Sequence, residues 1–356
     1  MGPKELLKTL SNAFGPAGFE EEVKDVILSL VKDMVDEVYE DTSGNLITVK
    51  RGTTRKKVMV DAHMDEVGLI ISSIQGPFLK FQLLGGWDQR LLPGQKVLIK
   101  NRKGTKISGV IGTIPPHIQT PEEMKKAFDV YDLFIDVGAL SEEEVKEKNI
   151  SIGDPVVIHA EAEDLDENTI IGKAFDDRAG CGVLVKLLER LKHTKLPYDL
   201  FVVFATGEEL GLRGARTSAY NVDPDFSISV EGTIAVDNPN IPPHKQPSHL
   251  GRGPVITVID RSIVVKREVV VFLEEIAQKN AIPIQYKTPI FGSTNAGVIH
   301  LERGGVLSAV IAVPVRYIHS PLSMLKIKDF EYTVDLIHNV LLELPKTDFL
   351  ERKLRL

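Results

Sequence analysis

Cysteine is almost absent. The chain holds only Cys181, so no intrachain disulfide can form, and a cytoplasmic home is expected. Cys181 sits in AGCGVLV, among small and apolar residues, which marks it as buried packing rather than a nucleophile. No stretch approaches the ~18 consecutive apolar residues of a membrane span. The opening MGPKELLKTL is too polar for a secretory leader, and Leu6 stands where the myristoylation pattern needs Ser or Thr. An excess of basic residues is missing too: the formal net charge is -7, which argues against a general nucleic-acid binder. Internal repeats, heptads and low-complexity tracts are also lacking. The expectation is a cytosolic, soluble protein whose partners are neither nucleic acid nor membrane.

What is present is an ordinary globular composition, 43% hydrophobic and 26% charged over 356 residues. That length suits two domains, or one large domain with an insertion. In residues 19–36, Val23, Val26, Ile27, Leu30, Val31 and Met34 fall at three- and four-residue steps, the mark of an amphipathic helix. A turn and a strand follow in DTSGNLITVKRG, and Val58-Met59-Val60 begins a buried strand that runs into His63. Residues 72–163 then change texture. Short β-rich pieces broken by Gly and Pro (FLKFQLLGGW, GQKVLIKN, ISGVIGTIPP, DPVVIHA) predict a small barrel or sandwich, interrupted by an acidic helix near SEEEVKEK. From 164 onward, strands alternate with helices. The predicted fold is α/β, with a mostly parallel central sheet and helices on both faces. Residues 1–71 and 164–356 would form it, around an inserted β-barrel-like domain at 72–163.

Sites in open α/β sheets form beyond the carboxyl ends of the strands. His63 and Asp65 follow the first buried strand. Asp176 and Asp177 precede the helix at AGCGVLV. Glu208 and Glu209 follow LFVVFAT, Glu231 ends FSISV, and His319 follows SAVIAVPV. One exposed acid at a turn is usually just solvated. Separate segments all delivering His, Asp or Glu to one edge are harder to dismiss. Two imidazoles with several carboxylates make a mixed N/O set that suits zinc, cobalt or manganese, and thiolate is missing from it. Packing Asp176, Glu208, Glu209 and Glu231 together without cations would be strongly repulsive. Two divalent ions about 3.5–4 Å apart remove that repulsion and are a usual arrangement in hydrolases. The other histidines (His117, His159, His193, His244, His249, His300 and His338) read as ordinary surface or core residues.

DAHMDEVG, GKAFDDRAG, ATGEELGLRGA, EGT, GPVITVID and RYIHSP occur in the order seen in the M42 family of metallo-aminopeptidases. The chain resembles that family, the tetrahedral or TET aminopeptidases, over essentially its whole length, GGW at 85–87 included. The resemblance implies that His63 and Glu231 bind one metal, that Glu209 and His319 bind the other, and that Asp176 bridges the two. It gives Glu208 the role of general base and places Asp65 behind the other ring nitrogen of His63. Asp177 would support the loop. It further implies release of N-terminal residues from peptides, by a hydroxide activated between two ions, zinc foremost, with cobalt or manganese as alternatives. Subunits would pair through the inserted domain and assemble into a tetrahedral dodecamer. The chain departs from the family at Glu231, where Asp is usual, and at Asn295 in GSTNAG, where an acid is usual.

Three other readings compete. A deacylase or carboxypeptidase on the related M20-type scaffold would use similar ligands and select an acyl or carboxylate group. A glycoside hydrolase needs two acids flanking a sugar bond and would leave the histidines idle. A shell or binding protein without metals would not need the ligand set.

Overall fold

Alternation along the strands decides which face each side chain joins. In the strand Lys57–His63, Val58, Val60 and Ala62 enter one apolar core while Met59 enters another. In Asp199–Ala205, Leu200, Val202 and Phe204 join the first core; Phe201, Val203 and Ala205 join the second. A strand buried on both sides needs cover on both sides. Helices supply it, as expected for a sheet with a parallel centre. The computed structural model describes residues 1–287 and 289–352.

The strands before the insertion are β1 (Glu37–Glu40), β2 (Leu46–Lys50) and β3 (Lys57–His63). Those of the insertion are β4 (Gly68–Gln75), β5 (Phe78–Leu84), β6 (Lys96–Lys100), β7 (Lys106–Gly112), β8 (Phe134–Asp136) and β9 (Pro155–Ile158). After it come β10 (Glu163–Asp164), β11 (Thr169–Gly172), β12 (Asp199–Ala205) and β13 (Phe226–Ala235). The last are β14 (Val255–Thr257), β15 (Gln285–Lys287), β16 (Leu307–Arg316) and β17 (Ser323–Lys326). The large sheet runs β1-β2-β12-β3-β13-β16-β17-β11-β10, with β14 and β15 attached beside β16. Its centre, β12-β3-β13-β16, is parallel, and antiparallel pairs extend it on each side.

The helices are α1 (Pro3–Asn12), α2 (Glu21–Val31), α3 (Glu142–Glu147), α4 (Phe175–Leu191), α5 (Arg213–Val222), α6 (Arg267–Lys279), α7 (Ala296–Ile299) and α8 (Ile327–Glu343). α1, α2, α4, α6 and α8 contribute to the larger core, α5 to the smaller one, and α7 to both. Strands β4 to β9 close into a separate barrel around Leu69, Phe81, Val97, Ile111 and Val156. The barrel starts at Gly68, ahead of the expected residue 72, because β4 pairs along its length with β5. Periodicity shows that a run is a strand but not which sheet it joins. The helix expected over 19–36 spans only Glu21–Val31. Beyond it the chain turns, and Asp36 donates its N–H to Val49, leading into β1. Among the described residues no helix is long and apolar enough to cross a membrane.

Candidate active site

Strand register gathers the polar residues on one rim. β3 and β12 run parallel with His63 opposite Ala205, so the turn carrying Glu208 and Glu209 leaves the sheet at the level of His63. Ser229 of β13 lies opposite Asp61 of β3. Two residues further on, Glu231 reaches the level of His63 on the same face. Glu231 was expected at a strand end; it lies inside β13, which continues to Ala235 because β16 pairs with it throughout. β16 ends at Arg316, and a loop with left-handed Tyr317 and His319 (φ 61° and 55°) brings the His319 ring back. Asp176 comes from the irregular first turn of α4, where the Asp176–Asp177 peptide is cis. Gly232 lets β13 pass this turn closely: a Cβ there would meet the Phe175 carbonyl oxygen at 2.8 Å and the Asp176 Cα at 2.9 Å.

The side chains form two groups that share Asp176. In one, His63 Nε2 lies 3.4 Å from Asp176 Oδ1 and 3.7 Å from Glu231 Oε2. In the other, His319 Nε2 lies 3.4 Å from Asp176 Oδ2 and 3.2 Å from Glu209 Oε1. Asp176 thus turns one oxygen to each imidazole. A tetrahedral ion with bonds of about 2.0–2.2 Å would hold its ligands roughly 3.3–3.6 Å apart, so these spacings and the all-N/O donors fit a divalent cation in each group. Glu208 belongs to neither group. Its Oε2 is 3.9 Å from His63 Nε2. Glu208 and Glu209, neighbours in sequence, therefore approach different imidazoles. Both groups open onto one cavity of about 630 Å³, whose walls include Leu212, Ile234, Thr257, Lys287 and Ile318.

Hydrogen bonds fix this arrangement. His63 Nδ1 lies 3.1 Å from the Asp65 carbonyl oxygen and 3.4 Å from its carboxylate. The same carboxylate accepts the N–H groups of Glu208 and Glu209, each at 3.0 Å. Glu20, at the start of α2, accepts the N–H of Gly207 at 3.0 Å. Two carboxylates thus hold three successive amides of this turn. Asp177 accepts from the His63 and Gly180 amides, and Asn295 donates its backbone N–H to Glu231 Oε1 at 3.1 Å. Gly86, in the barrel's GGW turn, supplies the carbonyl 2.7 Å from His319 Nδ1. With Nδ1 of each ring engaged by carbonyl oxygen, Nε2 is the atom left for a metal. Beneath the rim, fully buried Arg178 donates to the carbonyls of Leu10, Ala13, Gly15 and Met64 and pairs with Glu66.

Crowded acids perturb one another. Burial, with Glu209, Asp65 and Asp176 nearby, pushes Glu208 up to about 8 against the pull of His63. Burial together with Asp177 and Glu208 holds Glu231 well above the carboxylate range. Burial alone would depress His319, but Asp176 and Glu209 push it up to about 11. Asp176 goes the other way: hydrogen bonds from His319 and His63 outweigh its burial and lower it. A cluster so reluctant to carry its acids ionised is one that cations would relieve.

Glu20 and Lys287 escaped the sequence reading, as did the role of Gly86 within the GGW noted above. No local pattern marks these roles: Glu20 is one of the three acids of FEEEV, and its partner Gly207 is distant in the chain. The histidines read as ordinary residues lie outside both metal-type groups.

Known proteins resemble this chain in sequence and in fold. The sequence profile described as M42 glutamyl aminopeptidase matches residues 44–336. The chain is 32% identical to a lysyl aminopeptidase of Pyrococcus furiosus, over 97% of this chain and 98% of that protein. It is 31% identical to a glutamyl aminopeptidase of Lactococcus lactis, over 91% of each. Among solved structures, a TET aminopeptidase from a marine sediment thaumarchaeon superposes with a TM-score of 0.95, at 38% identity and 98% coverage of each chain. The TET1 peptidase of Pyrococcus horikoshii, described as assembling into a tetrahedron or a large octahedral shell, superposes with a TM-score of 0.85, at 31% identity, over 95% of this chain and 99% of that one. The profile spans most of the sequence, and these relatives share nearly its full length: the chain belongs to the M42 family of aminopeptidases.

Proposed function

We propose that this protein removes N-terminal residues from peptides, using two divalent ions held by His63, Glu231 and Asp176 on one side and by Asp176, Glu209 and His319 on the other. The division of the Asp176 oxygens between the two imidazoles carries this reading. Zinc leads among the ions such donors accept, ahead of cobalt and manganese. When bound, the ions polarise the scissile carbonyl and make a water acidic enough to attack it.

The remaining work falls to side chains. Glu208 stands beside His63 without belonging to either group, and in its ionised form, which bound cations favour over the protonated form that burial imposes, it is free to accept a proton. It takes the proton of the attacking water and returns it to the leaving amine. Asp65 holds the His63 ring and the Glu208 turn in one geometry. The acid-lined rim anchors the substrate's free amine, and the adjoining cavity receives its first side chain. The barrel (residues 68–158) carries exposed Ile118, Tyr131 and Leu140, and it supplies the dimer contact from which a tetrahedral shell is built.

Glu208→Gln tests the assignment. The variant should keep its metal content while kcat on an aminoacyl p-nitroanilide falls by about 10²–10⁴. A near-normal kcat would remove Glu208 from the proton transfers.

A further inference from the structure

The amides of the turn that carries Glu208 and Glu209 are held by side chains. Four successive N–H groups each donate to a side-chain oxygen. Thr206 donates to Asn45 Oδ1 at 2.9 Å and Gly207 to Glu20 Oε1 at 3.0 Å. Glu208 and Glu209 donate to the two oxygens of Asp65, each at 3.0 Å. Three separate segments therefore converge on one turn, and Glu20 is the least expected contributor. It is the N-cap of α2, yet its side chain does not cap that helix. It is only 6% exposed and makes no ion pair among the described residues. Glu22, two residues on, pairs with Lys100 and Lys106. A buried carboxylate without a cation is costly unless hydrogen bonds compensate it. Those of Glu20 are the Gly18 amide at 2.8 Å and the Gly207 amide, both on one oxygen. The first is local; the second joins residues 187 apart in the chain.

Gly207 needs an external hold. Its φ of 61° is left-handed, a conformation that glycine adopts readily and also leaves readily. Glu208 is the next residue, so a change at Gly207 swings both acids of the turn away from their imidazoles. The segment bearing Glu20 is itself anchored. Glu66 donates its N–H to the Gly15 carbonyl, Ala17 donates to the Glu66 carbonyl, and buried Arg178 donates to Gly15. Glu20 and Gly207 line a cavity of about 420 Å³, separate from the one that holds both metal-type groups. Glu20 thus acts on the site only through the turn.

We propose that Glu20 is a positioning residue whose carboxylate oxygen fixes the Gly207 amide and thereby aims Glu208 and Glu209 into the site. This rests on the aminopeptidase reading above. The oxygen serves as a hydrogen-bond acceptor, and its charge is dispensable. Burial, with Asp65 nearby, pushes the Glu20 acid up to about 7, so a neutral amide of the same length is a fair replacement.

The experiment compares the full-length, zinc-loaded enzyme with Glu20→Gln and Glu20→Asp, each checked for folding by thermal unfolding. Gln keeps the reach and drops the charge. Asp keeps the charge and, one methylene shorter, withdraws its oxygen from Gly207. On leucyl p-nitroanilide, Glu20→Gln should hold kcat within about threefold of wild type. Glu20→Asp should lower kcat by about 10–100-fold while KM stays within about threefold. Amide exchange followed by mass spectrometry reads the turn without turnover: in a peptide covering residues 206–209, Glu20→Asp should accelerate exchange at least about tenfold, and Glu20→Gln should not. Normal kcat or unchanged exchange in Glu20→Asp overturns the proposal. So does a Glu20→Gln variant as impaired as Glu20→Asp, which would make the charge the working part. Failure of Glu20→Asp to fold would make Glu20 a structural residue and also overturn it. Exchange that responds as expected, in a wild type that hydrolyses no aminoacyl anilide, would leave the clamp standing and remove the aminopeptidase reading instead.

Discussion

Asp65 serves two neighbours with one carboxylate, and the site's geometry depends on its having two acceptor oxygens. It is fully buried, lies beside His63 Nδ1, and takes one N–H from each of Glu208 and Glu209. Asparagine would set an NH₂ against one of those N–H groups, leaving buried donors unsatisfied. Asp65→Asn should therefore weaken metal binding by about 10–100-fold and destabilise the fold by about 1–3 kcal/mol. Chelator-competition titration and denaturant unfolding would measure these effects, and metal affinity within about twofold of wild type would show that Asp65 does not organise the site. At this scale the sequence was informative where chemistry is carried by residue type: His and Asp or Glu beyond buried strands stand out without a structure. It was silent where burial and partner decide the role. Lys287 reads as one lysine of a polar segment until the fold encloses it, and Asn295 reaches the rim through its backbone N–H, which no residue type marks.

The elements were legible in type and less so in extent. Strong apolar runs such as Leu200–Ala205 and Leu307–Val315 announced the parallel centre. The four-residue lead of β4 into the barrel and the continuation of β13 past Glu231 were hidden, because strand length follows the partner strand rather than the local pattern. The helix α1 also went unread, although Leu6, Leu7 and Leu10 bury its inner face against the core. The barrel's GGW turn shows why an inserted element can matter to chemistry. Gly86 lies close enough for its carbonyl to engage His319, and a Cβ there would come within 3.1 Å of the ring. An element expected to govern assembly thus also orients a residue proposed to hold a metal.

For the whole molecule, the inserted barrel and the sheet domain have separate apolar cores. The barrel also exposes apolar residues at its surface, with Leu140 86% and Ile118 75% exposed. Such residues on a separately cored domain suit an interface between copies. Light scattering coupled to size exclusion should report a mass well above the 39.4 kDa chain, consistent with a dimer or a dodecamer; a monomer at micromolar concentration would contradict the assembly reading. The central claim is the cage of two cations, which anomalous diffraction from zinc-loaded crystals tests directly. The account predicts two peaks about 3.5–4 Å apart, with Asp176 between them, His63 and Glu231 on one and Glu209 and His319 on the other. A single peak, or either histidine away from the metal, would contradict it.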